Sequence, residues 1–223
     1  MRLKKQFMLI LLIILLLSVW SFADAPDPDP KRFEQEIGTF IQWDKKNSFP
    51  VNSLLFVGSS SIRMWPSAVS FPNLPVINRG FGGSHISDVL YYYETVVKKY
   101  RPANIVFYCG DNDIASQKSI DQVVADYREF VTKVKQDFPK ARIYYIPIKP
   151  SIARWGMWPA MDKTNLKIKE ICDEDKSMVY VDIATPMIDI KGKPEESLFL
   201  DDGLHLNQKG YDLWNGVLKN YLK

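Results

Sequence analysis

Five short apolar runs, at residues 54–57, 76–78, 105–109, 142–148 and 178–183, constrain this chain more than any other feature. Each has strand length, and each is separated from the next by polar turns and stretches with helical spacing. Such alternation leaves few solutions. Parallel strands need long crossovers, and helices packed on both faces bury a sheet whose strands are apolar throughout. The expected fold class is therefore α/β, with a five-stranded parallel sheet between two helical layers. Helices are expected over 33–46, 84–99, 119–138, 161–172 and 208–222. In the first, Phe33, Ile37, Phe40 and Ile41 fall on one face. In the third, Ser119 and Gln122 fit a capping box, and Pro139 stops the helix.

Open α/β sheets bind ligands beyond the carboxyl ends of their strands. Three of the apolar runs end there in polar or glycine-rich segments: Gly58-Ser59-Ser60-Ser61, Gly80-Phe81-Gly82-Gly83 and Gly110-Asp111-Asn112-Asp113. A fourth, Asp202-Gly203-Leu204-His205, follows the last strand after a long loop. Only two histidines occur, His85 and His205, and His205 alone has a carboxylate three residues before it in a glycine-containing turn. That spacing can hold one imidazole nitrogen on Asp202 and leave the other free as a base. Ser60, at a strand-to-helix turn, is the candidate nucleophile that such a base would activate. The Asn112 amide and the backbone N–H groups of Ser60 and Gly83 are candidate donors to an oxyanion. Taken singly, each motif has a plain structural reading. The serines can cap a helix, Asp-Asn-Asp can form a turn, and Asp202 and His205 can sit in a surface loop before the last helix.

Together, the four segments resemble the SGNH hydrolases, also called GDSL esterases and lipases. Residues 56–65, Phe-Val-Gly-Ser-Ser-Ser-Ile-Arg-Met-Trp, are similar to the first block of that family. Asn78-Arg79-Gly80-Phe81-Gly82-Gly83 is similar to the second, Gly110-Asp111-Asn112-Asp113 to the third and Asp202-Gly203-Leu204-His205 to the last. They occur in the family's order and span residues 56–205. One position departs: the usual Gly-Asp-Ser reads Gly58-Ser59-Ser60, and the alignment of Gly58 and Trp65 favours Ser60 over its neighbours as nucleophile. The resemblance implies a flavodoxin-like sandwich and no metal or organic cofactor. It also implies hydrolysis of carboxylic esters by Ser60, His205 and Asp202, with Ser60, Gly83 and Asn112 forming the oxyanion hole. Short acyl or acetyl esters, acylated sugars and lysophospholipids are all candidate substrates. A catalytically silent glycan- or lipid-binding module on the same fold is the alternative.

Arg154, Trp155 and Trp158, in the loop after the fourth strand, are candidate substrate contacts; packing of the tryptophans against the domain is the other reading. His85 reads as a polar group at a helix start. The loops around 64–73, 148–161 and 190–200 carry no readable specificity code.

The chain carries a formal net charge of +3. Arg2, Lys4 and Lys5 supply all of it, because residues 1–23 contain no acidic side chain. Beyond them, 26 basic residues balance 26 acidic ones (29 less the 3 at the start, against 26). A neutral body argues against a nucleic-acid partner. The basic start, the apolar run 7–17 and the small residues Ser21 and Ala23 read as a signal peptide over 1–23, or as a retained N-terminal membrane anchor, and place the body outside the cytoplasm. Residues 24–32, rich in Asp and Pro, read as an extended linker, and 33–223 as the hydrolase-like domain. Cys109 and Cys172 are expected to be buried as small hydrophobes, and two cysteines with two scattered histidines make no zinc pattern.

Overall fold

The computed structural model describes residues 26–222; the segment 1–23 read as a signal peptide or anchor lies outside them. Five strands, β1 (Leu54–Gly58), β2 (Val76–Gly80), β3 (Asn104–Tyr108), β4 (Arg142–Tyr145) and β5 (Met178–Tyr180), form one sheet in the order β2-β1-β3-β4-β5. All four pairings are parallel, and Leu55, Ile105 and Ile143 sit side by side in register. The main helices are α1 (Glu34–Lys46), α2 (Ile86–Tyr91), α3 (Ile120–Asp137), α4 (Trp158–Asp173) and α5 (Gln208–Lys219).

The period of two along each strand divides the core. Leu55, Val57, Ile105, Phe107, Ile143 and Tyr145 face α1 to α4. Leu54, Phe56, Val106, Tyr108 and Tyr144 face the other way, against Ile62, Trp65, Trp214 and Leu218. Leu55, Phe56 and Val57 are consecutive and fully buried, so β1 is covered on both sides. Each such side chain contributes about 1.5–3 kcal/mol relative to exposure. This is the three-layer sandwich that the strand pattern predicts. Among the described residues, no helix is long and apolar enough to cross a membrane.

Three departures have physical causes. The expected helix over 84–99 is broken into α2, a short turn Tyr93–Val96 and a 3-10 turn Lys98–Tyr100. Tyr92 leaves helical geometry and donates its hydroxyl to the Pro30 carbonyl, while Tyr93 enters the core. A continuous helix would turn these adjacent rings about 100° apart. β4 stops at Tyr145, before Pro147. The Asn165 side chain then replaces a ladder partner, accepting from Ile148 N–H at 2.8 Å and donating to its carbonyl at 2.9 Å. Finally, residues 26–32 do not hang free as a spacer. Asp27 accepts from Ser87 and Lys118, both at 2.7 Å, and Arg32 pairs with Asp88.

β1 ends where the sheet order reverses, between β2 and β3. Gly58 takes φ +140°, and a Cβ there would stand 1.8 Å from the Tyr108 carbonyl oxygen. Only glycine admits both the angle and the approach. Gly58→Ala is expected to lower the free energy of unfolding by at least about 2 kcal/mol, or to prevent folding. Gly38→Ala, in open space within α1, should instead stabilise by about 0.5–1 kcal/mol. Urea unfolding of both variants checks the pair.

Candidate active site

Beyond Gly58 the chain turns at once. Ser59 is extended, its N–H donates to the Tyr108 carbonyl at 3.0 Å, and Ser60 opens a one-turn helix, Ser60–Arg63. That turn is clamped from three sides. Asn78 Nδ2 donates to the Ile62 carbonyl at 2.8 Å, Tyr211 Oη donates to the Ser61 carbonyl at 3.0 Å, and Trp65 Nε1 donates to Asn215 at 2.8 Å. Ser60 is 8% exposed, enough to present a hydroxyl at the surface.

The 202–205 turn is built around one carboxylate. Asp202 Oδ1 accepts from the N–H groups of Leu204 and His205, both at 2.9 Å. Its Oδ2 lies 2.5 Å from His205 Nδ1. Gly203, at φ +61°, allows the reversal, and Ala153 N–H donates to its carbonyl at 3.0 Å. His205 Nε2 faces Ser60 Oγ at 3.1 Å. An ionised carboxylate only accepts, so the Nδ1 position carries the proton and Nε2 is left to accept from the serine. Residues 145 positions apart thus meet within hydrogen-bonding distance.

The bond from His205 holds the Asp202 carboxyl well below the usual carboxylate range, at about 2. Two backbone N–H groups act in the same direction. Half of the Asp202 side chain stays open to solvent.

Asn112 lies in the short helix Asp111–Ala115, entered through Gly110 at φ +117°. Its Nδ2 donates to the Ser84 carbonyl at 3.1 Å, beside Gly83. Gly83 has φ +79°, and the space its Cβ would take is empty. Arg154 turns inward: Nη2 donates to Asn112 Oδ1 at 3.0 Å, and Nη1 lies 3.1 Å from Asp111 Oδ2. Trp155 and Trp158 stack on each other with ring centres 6.0 Å apart, and Lys193 lies over Trp155. Trp158 also packs against both cores. His85 is the residue before α2, buried, and bonded through Nε2 to Ser116 at 3.1 Å; burial pushes its pKa down. Both cysteines are buried and free, and no cluster suited to a metal ion occurs among the described residues.

Sequence reasoning missed the inward course of Arg154, the amide of Asn165 and the buried Lys149, which lies 3.6 Å from Asp111. Nothing in their local sequence marks these partners, since each contact joins separate elements of the chain. Two surface grooves, of about 410 and 870 Å³, include neither Ser60 nor His205.

A sequence profile of the GDSL-like lipase/acylhydrolase family matches residues 58–213. The chain belongs to this family of hydrolases. Solved structures agree on the fold. A Streptococcus pneumonia protein named for platelet activating factor superposes with TM-score 0.77 at 20% identity, over 95% of this chain and 99% of that one. A GDSL-like lipase from Bacteroides thetaiotaomicron gives 0.69 at 20%, over 86% and 96%. A catalytic mutant of an acetylxylan esterase from Geobacillus stearothermophilus gives 0.65 at 17%, over 78% and 94%. Comparison with curated protein sequences returns no significant match.

The lowered pKa of Asp202 sets a stability window for this hydrolase. A carboxylate depressed from 3.8 to about 2 on folding contributes stability above pH 4 or so and loses it as the pH falls towards 2. Melting temperature should therefore fall more steeply across that window in the wild type than in Asp202→Asn. Equal slopes in thermal scans at stepped pH would contradict this.

Proposed function

We propose that this hydrolase cleaves carboxylic esters of short acyl groups through a Ser60–His205–Asp202 triad. The contact of His205 Nε2 with Ser60 Oγ at 3.1 Å, with Nδ1 held on Asp202, carries this reading. His205 takes the Ser60 proton as the hydroxyl attacks the ester carbonyl. Asp202 keeps the imidazole in the right tautomer and stabilises the imidazolium. The oxyanion is received by the N–H groups of Ser60 and Gly83 and by Asn112 Nδ2. The alcohol leaves with the proton from His205. Water, activated by the same imidazole, then releases the acid and restores the serine.

Placement of Ser60 at the first helical position supports the donor role of its own N–H, which has no partner within the helix. We infer a short acyl group on a larger alcohol such as a sugar. The acetylxylan esterase similarity is in keeping with that. Export is part of the same proposal, on the order of basic, apolar and small residues over 1–23. N-terminal sequencing of the protein from its own cell should then begin at Asp24, or find the chain in the membrane fraction.

Ser60→Ala and His205→Ala should each lower kcat for a soluble acetyl ester by on the order of 10⁴-fold or more while leaving the melting temperature nearly unchanged. A fluorophosphonate should label Ser60 in the wild type and not in either variant. A wild-type chain that neither turns over acyl esters nor takes the label would be a binding module instead.

A further inference from the structure

We propose that Arg154 is a positioning residue for the oxyanion amide, and that the 152–154 loop braces that amide against the base. The inference rests on the triad reading above and assigns Arg154 a place in it other than substrate contact. A guanidinium only donates, so its bond to Asn112 Oδ1 at 3.0 Å fixes which end of the amide faces it. Nδ2 is thereby turned the other way. One of its two hydrogens goes to the Ser84 carbonyl, and the second is left for the substrate oxygen.

The guanidinium is itself held. Its second nitrogen lies 3.1 Å from Asp111 Oδ2, and the side chain is only 18% exposed. Asp111 is in turn anchored from below by Lys149, a buried residue whose ammonium also donates to Tyr108 Oη at 3.1 Å. Arginine stays charged under all working conditions. A fixed cation on the amide oxygen draws electron density from the nitrogen and makes its N–H a stronger donor, as in any chain of coupled hydrogen bonds.

The same loop touches the turn that carries the base. Ala153 N–H donates to the Gly203 carbonyl at 3.0 Å, and Ile152 packs on Gly203, where a Cβ would come within 3.1 Å of it. Three consecutive residues therefore contact both the turn that carries His205 and the amide that receives the oxyanion. This fixes the distance between the two halves of the reaction. Displacement of a donor by about 1 Å can cost on the order of 10²-fold.

The test is a double-mutant cycle on kcat and KM for a soluble acetyl ester, using Arg154→Ala, Asn112→Ala and the pair in the full chain. Arg154→Ala should lower kcat by roughly 10–10²-fold, within the loss expected for one oxyanion donor, with KM nearly unchanged. In the Asn112→Ala background the same change should cost less than about threefold, because its target is gone. Guanidinium ion at sub-denaturing concentration should restore part of kcat to Arg154→Ala and none to the double variant. A raised KM with unchanged kcat would make Arg154 a substrate contact and overturn the proposal, as would a loss that multiplies in full on Asn112→Ala. Should Arg154→Ala not fold, Arg154→Lys replaces it in the cycle: one ammonium cannot span Asp111 and Asn112, so the same pattern is expected. Ser60→Ala keeps the two failures apart. If it retains turnover, the triad reading falls; if it is dead and the cycle is additive, only the role of Arg154 falls.

Discussion

The close approach of the Gly58 backbone to the Tyr108 carbonyl is the constraint on which the rest of the molecule turns. Parallel strands can be joined only through long crossovers, so β1 must leave the sheet sharply to make room for its neighbours. It does so at the one point where β2 and β3 diverge in sequence order. The left-handed angle of Gly58 turns the chain beneath Tyr108, and the Ser59 N–H captures the carbonyl that a side chain at 58 would have struck. Ser60 is then the first residue free of the ladder. Its place is set by that backbone bond and by the side chains of Asn78 and Tyr211 that hold the carbonyls of Ile62 and Ser61.

His205 reaches Ser60 by a different route. The loop that precedes α5 has little regular structure, yet Asp202 makes three hydrogen bonds within four residues. An isolated Asx turn of this kind would be marginal in water. It is held because Leu200 N–H donates to the His205 carbonyl, Phe199 bridges to Leu206, and the 152–154 loop covers Gly203. Leu206 then enters the core beside Trp214. Packing of α5 against the sheet is thus transmitted to the imidazole within a single residue, and the partly exposed turn keeps its place.

Most of the architecture is legible in the sequence because hydrophobic burial sets it. The apolar runs give the five strands, and the polar end of the first gives the point at which Ser60 meets His205. Element boundaries are less legible where side chains replace backbone partners. Nothing local announces that Asn165 will satisfy Ile148, so β4 reads as longer than it is. The break at Tyr92 depends on a carbonyl 62 positions away. Asp27 looks like part of a spacer because its partners, Ser87 and Lys118, lie far along the chain. The motif residues could be named by type and order, whereas the course of Arg154 could not: an arginine between Ala153 and Trp155 suits a binding loop and a buried ion pair equally well.

The Gly-Asp-Asn-Asp segment shows how one short helix can serve both needs. Its two carboxylates flank Asn112 and point to opposite partners. Asp111 faces Arg154 and Lys149. Asp113 accepts from Ile86 N–H at 3.1 Å and lies 3.6 Å from Lys118, which also pairs with Asp126 and Asp27. Burial pushes the Asp113 carboxyl up to about 7, and Lys118 opposes that rise. Removing two carboxylates from water is costly, and the attraction of their cations offsets that cost only with good geometry. What the expenditure secures is position. Asp113 ties the segment carrying Gly83 to the helix that carries Asn112, and Asp111 ties the loop carrying Arg154 to the same helix. The segment after β2, the segment after β3 and the loop that braces the 202–205 turn are thereby all referred to a single short helix.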